Sequence, residues 1–280
     1  MLRIDIGCEL VYEVRQQTVF LFQIAGVATE HQKVLTEELI FDPPISFESF
    51  KTGSEGNGLH RVTVDPCQLT VSYRAKVEMA PEVTSTTEVG ETMMAQMPPD
   101  VLTYLNPSRY CESDLLARFA FEEFGSFYRG YSRVQAICNW VYEQLDYTPG
   151  STSGTTTAAD VLLQRTGVCR DYAHLAITLC RGVGIPARYV AGYAVDLQPP
   201  DFHGFMEAFL DGQWYLFDPT RLSHTSGLVR IGVGRDAADV SFATINGDAR
   251  LASKSVWANN VPQESRVDIG SISNAGISTA

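Results

Sequence analysis

The stretch TGVCRDYAH, residues 166–174, sets a cysteine directly after a glycine turn and ahead of a run of helix-forming residues. A helix opening on Cys169 places its sulfur among the unpaired N–H groups of the first turn, where the macrodipole favours negative charge and hence a thiolate. A buried free cysteine otherwise behaves as a small hydrophobe, so the neighbours decide whether this thiol has chemistry. Two histidines follow, His174 and His203. His174 is five residues on, about 500° around a helix and so roughly 140° from the cysteine. It reads as a packed helix residue and a poor partner.

His203 opens the stretch HGFMEAFLDGQWYLFDPT, residues 203–220. Asp211-Gly212 is a preferred two-residue type I′ turn. With that loop Leu210 pairs with Gln213, and counting outward sets Phe205 opposite Asp218 and His203 opposite Thr220. His203 and Asp218 then become diagonal neighbours on one face, with Glu207 farther along it. A one-residue change in the loop would send Asp218 to the other face. The competing reading is a surface hairpin with a solvated histidine and aspartate. In the order Cys169, His203, Asp218 the chain offers a nucleophile, a general base and a residue to orient it.

Working outward, residues 69–79 alternate apolar and polar with period 2, a strand with one wet face. Shorter runs at 2–6, 18–24, 33–41 and 59–64, punctuated by Gly, Pro and Asp, predict a small antiparallel sandwich over residues 1–80. Residues 81–100 lose periodicity, collect Pro, Thr and Glu, and read as a connector. The period then changes to 3.6. Ser113 begins a helix with Leu115, Leu116, Phe119 and Phe124 inward, and Ser132 caps a second with Val134, Ile137, Val141 and Leu145. A third covers 158–165, and the fourth runs from Cys169 to about Gly182. Strands follow at 188–195, 203–210, 214–218 and 228–233. Residues 101–246 thus form an α+β domain, helices packed on an antiparallel sheet. Residues 247–280 read as an extension, partly disordered through the small, polar GSISNAGISTA or packed back on the N-terminal domain.

Composition bounds the function. The 280 residues, 45% hydrophobic, suffice for two ordinary cores. No apolar run approaches the roughly 20 residues that span a bilayer, and MLRIDIGCEL lacks a signal-peptide core, which sets a cytoplasmic expectation with no membrane partner. Cysteines at 8, 67, 111, 138, 169 and 180 form no CxxC pair or zinc spacing and read as reduced thiols, with no metal and no cofactor implied. A formal charge of −12 without a Lys/Arg cluster argues against nucleic acid.

Three blocks, GVCRDYAHLAITLCRGVGIPARYVAGY, DFHGFMEAF and WYLFDPT, resemble the core blocks of the transglutaminase-like superfamily over about residues 101–240. The first 80 residues with their connector resemble the β-rich N-terminal region of bacterial members. The resemblance implies a papain-like fold with Cys169 as nucleophile, His203 as base and Asp218 as orienting residue. Phe205 stands where the family usually carries tryptophan, a smaller wall beside the imidazole. The oxyanion is then held partly by the Cys169 N–H, and Tyr147 and Trp140 are upstream candidates for a second donor, weighed against core packing.

The enzymatic reading is a cysteine-dependent amide or peptide hydrolase working through a thioester on a protein or peptide substrate. Water as acceptor makes it a hydrolase; an amine makes it a protein-glutamine transamidase. The reading of another class is a non-catalytic interaction module on the same fold. Asp171 and Tyr172 either shape the cleft or serve the helix start; Arg235 and Asp236 in GRDAAD read as a local ion-paired turn, and PSRY, residues 107–110, as a polar helix entry. No DxDxDG calcium loop is present.

Overall fold

The computed structural model describes residues 1–87, 89–261 and 275–280. The N-terminal part holds β1 (Leu2–Val14), β2 (Thr18–Phe22), β3 (Gln32–Asp42), β4 (Glu48–Thr52), β5 (Asn57–Val64) and β6 (Cys67–Met79). Next come β7 (Glu82–Ser85), α1 (Ser113–Phe124), α2 (Tyr131–Gln144), β8 (Asp146–Tyr147), α3 (Ala158–Gln164), β9 (Thr166–Gly167) and α4 (Cys169–Gly182). The chain continues with β10 (Ala187–Ala194), β11 (Phe202–Leu210), β12 (Gln213–Phe217) and β13 (Leu228–Gly234). It closes with β14 (Ala243–Asn246), β15 (Ala249–Asn260) and β16 (Ala275–Ser278).

Two four-stranded sheets, ordered β15-β1-β6-β3 and β14-β2-β5-β4, form the N-terminal β domain. Their alternating residues enclose one core of Ile4, Ile6, Phe20, Phe22, Val71 and Tyr73. Each sheet takes an edge strand from residues 243–260, so the C-terminal extension completes the N-terminal domain. The second domain is the antiparallel sheet β12-β11-β10-β13 with α4 laid across it. Ala173, Leu175, Ala176 and Leu179 of α4 pack with Tyr189, Met206 and Ala208 of the sheet. Helix α4 is buried along most of its length, whereas α1 keeps one face wet.

Several expectations are corrected. Leu115 points outward at 68% exposure, because α1 buries only the stripe through Ala120 and Phe124 against α4. Gly130, not Ser132, precedes α2; its φ of 99° and the Val89 carbonyl 2.2 Å from where a Cβ would stand demand glycine at the turn. Strand β1 runs well past residue 6, since Gly7, which reads as punctuation, instead clears space for the Trp257 ring, 2.2 Å from its would-be Cβ. The tail is not disordered at its end: residues 270–274 lie outside the described residues, but β16 pairs with β7 and buries Ile277 completely.

Candidate active site

Helix α4 starts at Cys169, directly after the short strand β9 and the extended Val168. Gly167 lies 2.7 Å, at its would-be Cβ, from the Asp171 Cβ, so a larger residue would displace the helix start. Asp171, buried, turns back and accepts from the Val168 N–H at 2.9 Å and the Thr152 hydroxyl at 2.6 Å, while Arg170 donates to its other oxygen at 2.9 Å. The Asp171 carboxylate is thus a cap that fixes the loop carrying the cysteine. The sequence left its role evenly divided; an aspartate at the third position of the helix was the available signal.

The hairpin forms in the expected register. Asp211 and Gly212 both have positive φ, 46° and 85°, as a type I′ turn requires, and Leu210 pairs with Gln213. The ladder ends at Met206 with Phe217, which leaves Asp218 just beyond the strand and free to turn to His203. The two meet at 2.9 Å, with His203 fully buried and the Asp218 side chain 2% exposed. The contact runs through Nε2, the distal nitrogen, which reaches the carboxylate arriving from the next strand. Asp218 in turn accepts from the Thr220 N–H and hydroxyl at 3.0 and 2.7 Å and from the Ser223 N–H at 3.3 Å. These supports follow from Thr220 standing two residues after an aspartate, an Asx-turn spacing.

His203 Nδ1 is buried and, among the described residues, makes no hydrogen bond, to sulfur included. Cys169 lies close enough to bear on the ring's ionisation. Burial by itself would lower the imidazole pKa, but the Asp218 carboxylate and Cys169 outweigh it and push it up to about 10. Burial likewise opposes ionisation of Asp218, and the His203 charge and hydrogen bond overturn that, holding the carboxyl below its usual range. Both shifts favour an imidazolium clasped by a carboxylate. Cys169 is half-buried, unlike the buried Cys8, Cys111, Cys138 and Cys180.

The other thiols differ in kind. Burial pushes Cys8 and Cys111 up to about 12, and Cys138 and Cys180 are raised as well; Cys67 is raised by burial and Asp65. His174 is fully buried, stacks on Tyr110 at 5.1 Å and accepts the Ala237 N–H at Nε2. Burial lowers its pKa to about 3, which makes it a packed neutral histidine.

Of the two oxyanion candidates, Tyr147 reaches the cysteine and Trp140 does not. The short parallel pairing of β8 with β9 sets Tyr147, 40% exposed, beside Gly167 and near enough to Cys169 that burial and the Cys169 charge push its phenol pKa up. Trp140 packs edge-on against Phe119 and Phe124 between α1 and α2. Phe205 lies 6.3 Å from the imidazole in near-parallel stacking and is fully buried. Arg235 pairs with Asp239 at 3.0 Å within their turn, and Asp236 is buried, accepting from the Tyr110 and Ala238 N–H groups. Glu207, on the His203 strand, is buried between Arg188, at 2.7 Å, and Arg230. Among the described residues no group of three His, Cys, Asp or Glu side chains is arranged to hold a metal, and no helix is long and apolar enough to cross a membrane.

Residues 126–219 match the model of the transglutaminase-like superfamily core, and residues 2–100 match that of the bacterial transglutaminase N-terminal domain. A solved structure of a candidate cysteine protease from Cytophaga hutchinsonii is 39% identical, with a TM-score of 0.93 over 99% of this chain and 97% of that one. An uncharacterized protein of Mycobacterium leprae (strain TN) is 38% identical over 120 residues, 39% of this chain and 42% of that protein. One of Mycobacterium tuberculosis (strain ATCC 25618 / H37Rv) is 34% identical over 123 residues, 38% of this chain and 39% of that protein. The matched region is thus about two fifths of these mycobacterial relatives' length.

Proposed function

The chain belongs to the transglutaminase-like superfamily, and from that premise we propose that it is a cysteine-dependent amide or peptide hydrolase with Cys169 as nucleophile, His203 as acid and base, and Asp218 as the orienting residue. The observation that carries this reading is the buried His203–Asp218 contact of 2.9 Å with the second ring nitrogen left to Cys169. A surface hairpin with solvated side chains would leave both groups wet.

The Cys169 sulfur attacks the carbonyl carbon of the scissile amide, and the developing oxyanion is met by the Cys169 N–H at the helix start. The Tyr147 hydroxyl stands beside that N–H as a second donor. The His203 imidazolium passes its proton to the leaving amine, which departs and leaves a thioester on Cys169. His203, now neutral, takes a proton from water as the water oxygen attacks the thioester carbonyl. The acid is released, and the proton returns the pair to its starting state. Asp218 remains ionised throughout and stabilises the imidazolium.

The half-exposed positions of Cys169 and Tyr147 favour water over an amine as acceptor, since transamidation needs a cleft that keeps water out. Incubation with a library of acyl-blocked peptides and a labelled primary amine, followed by mass spectrometry, tests the assignment. The expected result is a Cys169-linked acyl-enzyme and cleaved or deamidated product in excess over amine adduct. Predominant amine adduct would make the protein a transamidase, and no acyl-enzyme on any peptide would favour a binding module.

A further inference from the structure

A cavity of about 560 Å³ opens where the β4–β5 hairpin and the loop after β2 meet the catalytic sheet at Arg188, Arg230 and Val233. That volume suits a small molecule, and the cavity lies outside the site of Cys169. Its walls carry both signs of charge. Arg188, Arg230 and Lys51 line it together with Glu37 and Glu55.

Two of these groups are incompletely paired. Arg230, 3% exposed, directs its terminal nitrogens to Glu207 and the Thr279 hydroxyl, and its Nε is buried without a partner. His60, whose Nδ1 meets the Ser49 hydroxyl at 2.8 Å, also buries its Nε2 without a partner. Buried polar atoms left unpaired are costly, and a bound partner removes that cost. On the opposite charge, Arg188 and Tyr104 already hold Glu55, at 3.0 and 2.7 Å, whereas among the described residues Glu37 receives only the long 3.2 Å contact from Tyr73.

A simple anion in this cavity would face Glu37 and Glu55, and a simple cation would face two arginines and a lysine. A molecule with both signs a few bonds apart satisfies both walls, and Val27, Leu59 and Val233 offer apolar surface for a small side chain. We propose that this cavity between the domains binds a zwitterionic α-amino acid or short peptide with free termini. The carboxylate sits towards Arg230 and Lys51, and the ammonium group towards Glu37.

Isothermal titration of the full chain with L-valine and glycyl-L-valine tests this, with N-acetylvaline and valinamide as single-charge controls. The same titrations on Cys169→Ala separate binding from turnover, so failure of the hydrolase assignment leaves this test intact. Saturable binding with a Kd between about 10 μM and a few mM is the size expected for so small a ligand. Each control should bind at least roughly tenfold more weakly, as should valine to Glu37→Gln. Gly58→Leu should abolish binding while keeping the fold, because Gly58 lines the cavity and its Cβ would enter open space. Absence of saturable binding by both zwitterions, controls that bind as well as valine, or unchanged binding in Gly58→Leu would each overturn the proposal.

Discussion

Asp218 acts on His203 through Nε2, which leaves Nδ1, the nitrogen nearer the backbone, for Cys169. Asp218→Asn keeps the shape but removes the charge that raises the imidazole pKa and turns one of the two acceptor oxygens into a donor, which loosens control of the tautomer. Because a thiol depends less on its base than a hydroxyl does, turnover should fall on the order of 10- to 10³-fold, and His203→Ala by at least as much. The double variant should be little worse than His203→Ala, since residues acting as one unit are not additive; steady-state kinetics on a cleaved peptide decide, and full activity in Asp218→Asn would remove its role. Iodoacetamide near pH 6 should label Cys169 ahead of the five other cysteines, whose thiols are all held protonated more tightly than usual. Equal labelling, read by peptide mapping, would contradict the pairing with His203. The folded pKa of His203, about 10, exceeds the unfolded value near 6.5, so its contribution to stability is full below pH about 6.5 and disappears as pH rises through about 10. The Tm difference between wild type and His203→Ala should therefore shrink from pH 6 to pH 10; a constant difference would contradict the raised pKa.

At the level of elements, the site depends on how α4 begins. The capping carboxylate of Asp171, the Val168 N–H and the Thr152 hydroxyl form one closed set of bonds, and β8 with β9 ties Tyr147 to the same loop. Asp171→Ala should cost about 1–3 kcal/mol, as it leaves the half-buried Val168 N–H and the first turn without their acceptor. Its loss of kcat should exceed that of Thr157→Ala, which removes the comparable cap from α3 at about 1 kcal/mol without touching Cys169. Denaturant melts and kinetics on both variants separate the two effects; equal kinetic loss would mean the cap serves only stability. The hairpin was legible because Asp211-Gly212 dictates a loop length, and loop length dictates which residues share a face. The start of α2 was not, since Gly130 is chosen by the nearby Val89 carbonyl, which local pattern does not reveal.

Across the whole molecule, the two domains share buried surface. Tyr193, Val195, Phe202, Val229 and Ile231 of the catalytic sheet pack into the N-terminal core, and the Tyr193 hydroxyl reaches the Ile24 carbonyl at 2.7 Å. Asn57 clamps both the N–H and the carbonyl of Val233, at 2.9 and 2.7 Å, from across the interface. Calorimetry should accordingly give one unfolding transition, and two well-separated ones would show the interface to be weak. Strand β16 packs on β12 and lodges Ile277 beside Val190, Phe205 and Leu216, under the strand that carries His203. Ile277→Ala should cost about 2–4 kcal/mol in denaturant melts.

The sequence by itself determined the α+β plan, the helix that starts at Cys169 and the strand register that brings His203 and Asp218 to one face. Each is a local matter: period 3.6 or 2, a glycine before a helix, a two-residue turn. What only the tertiary structure decided involves residues far apart in the chain. Residues 249–260 are mostly exposed and carry little alternation, so nothing local assigns them to the edge beside β1. Gly7 looks like a turn until Trp257 is laid against it. Which imidazole nitrogen meets Asp218, and whether Tyr147 or Trp140 reaches the thiol, depend on side-chain direction at the meeting of separate elements. Short-range pattern carries no information about that direction, because packing between elements sets it.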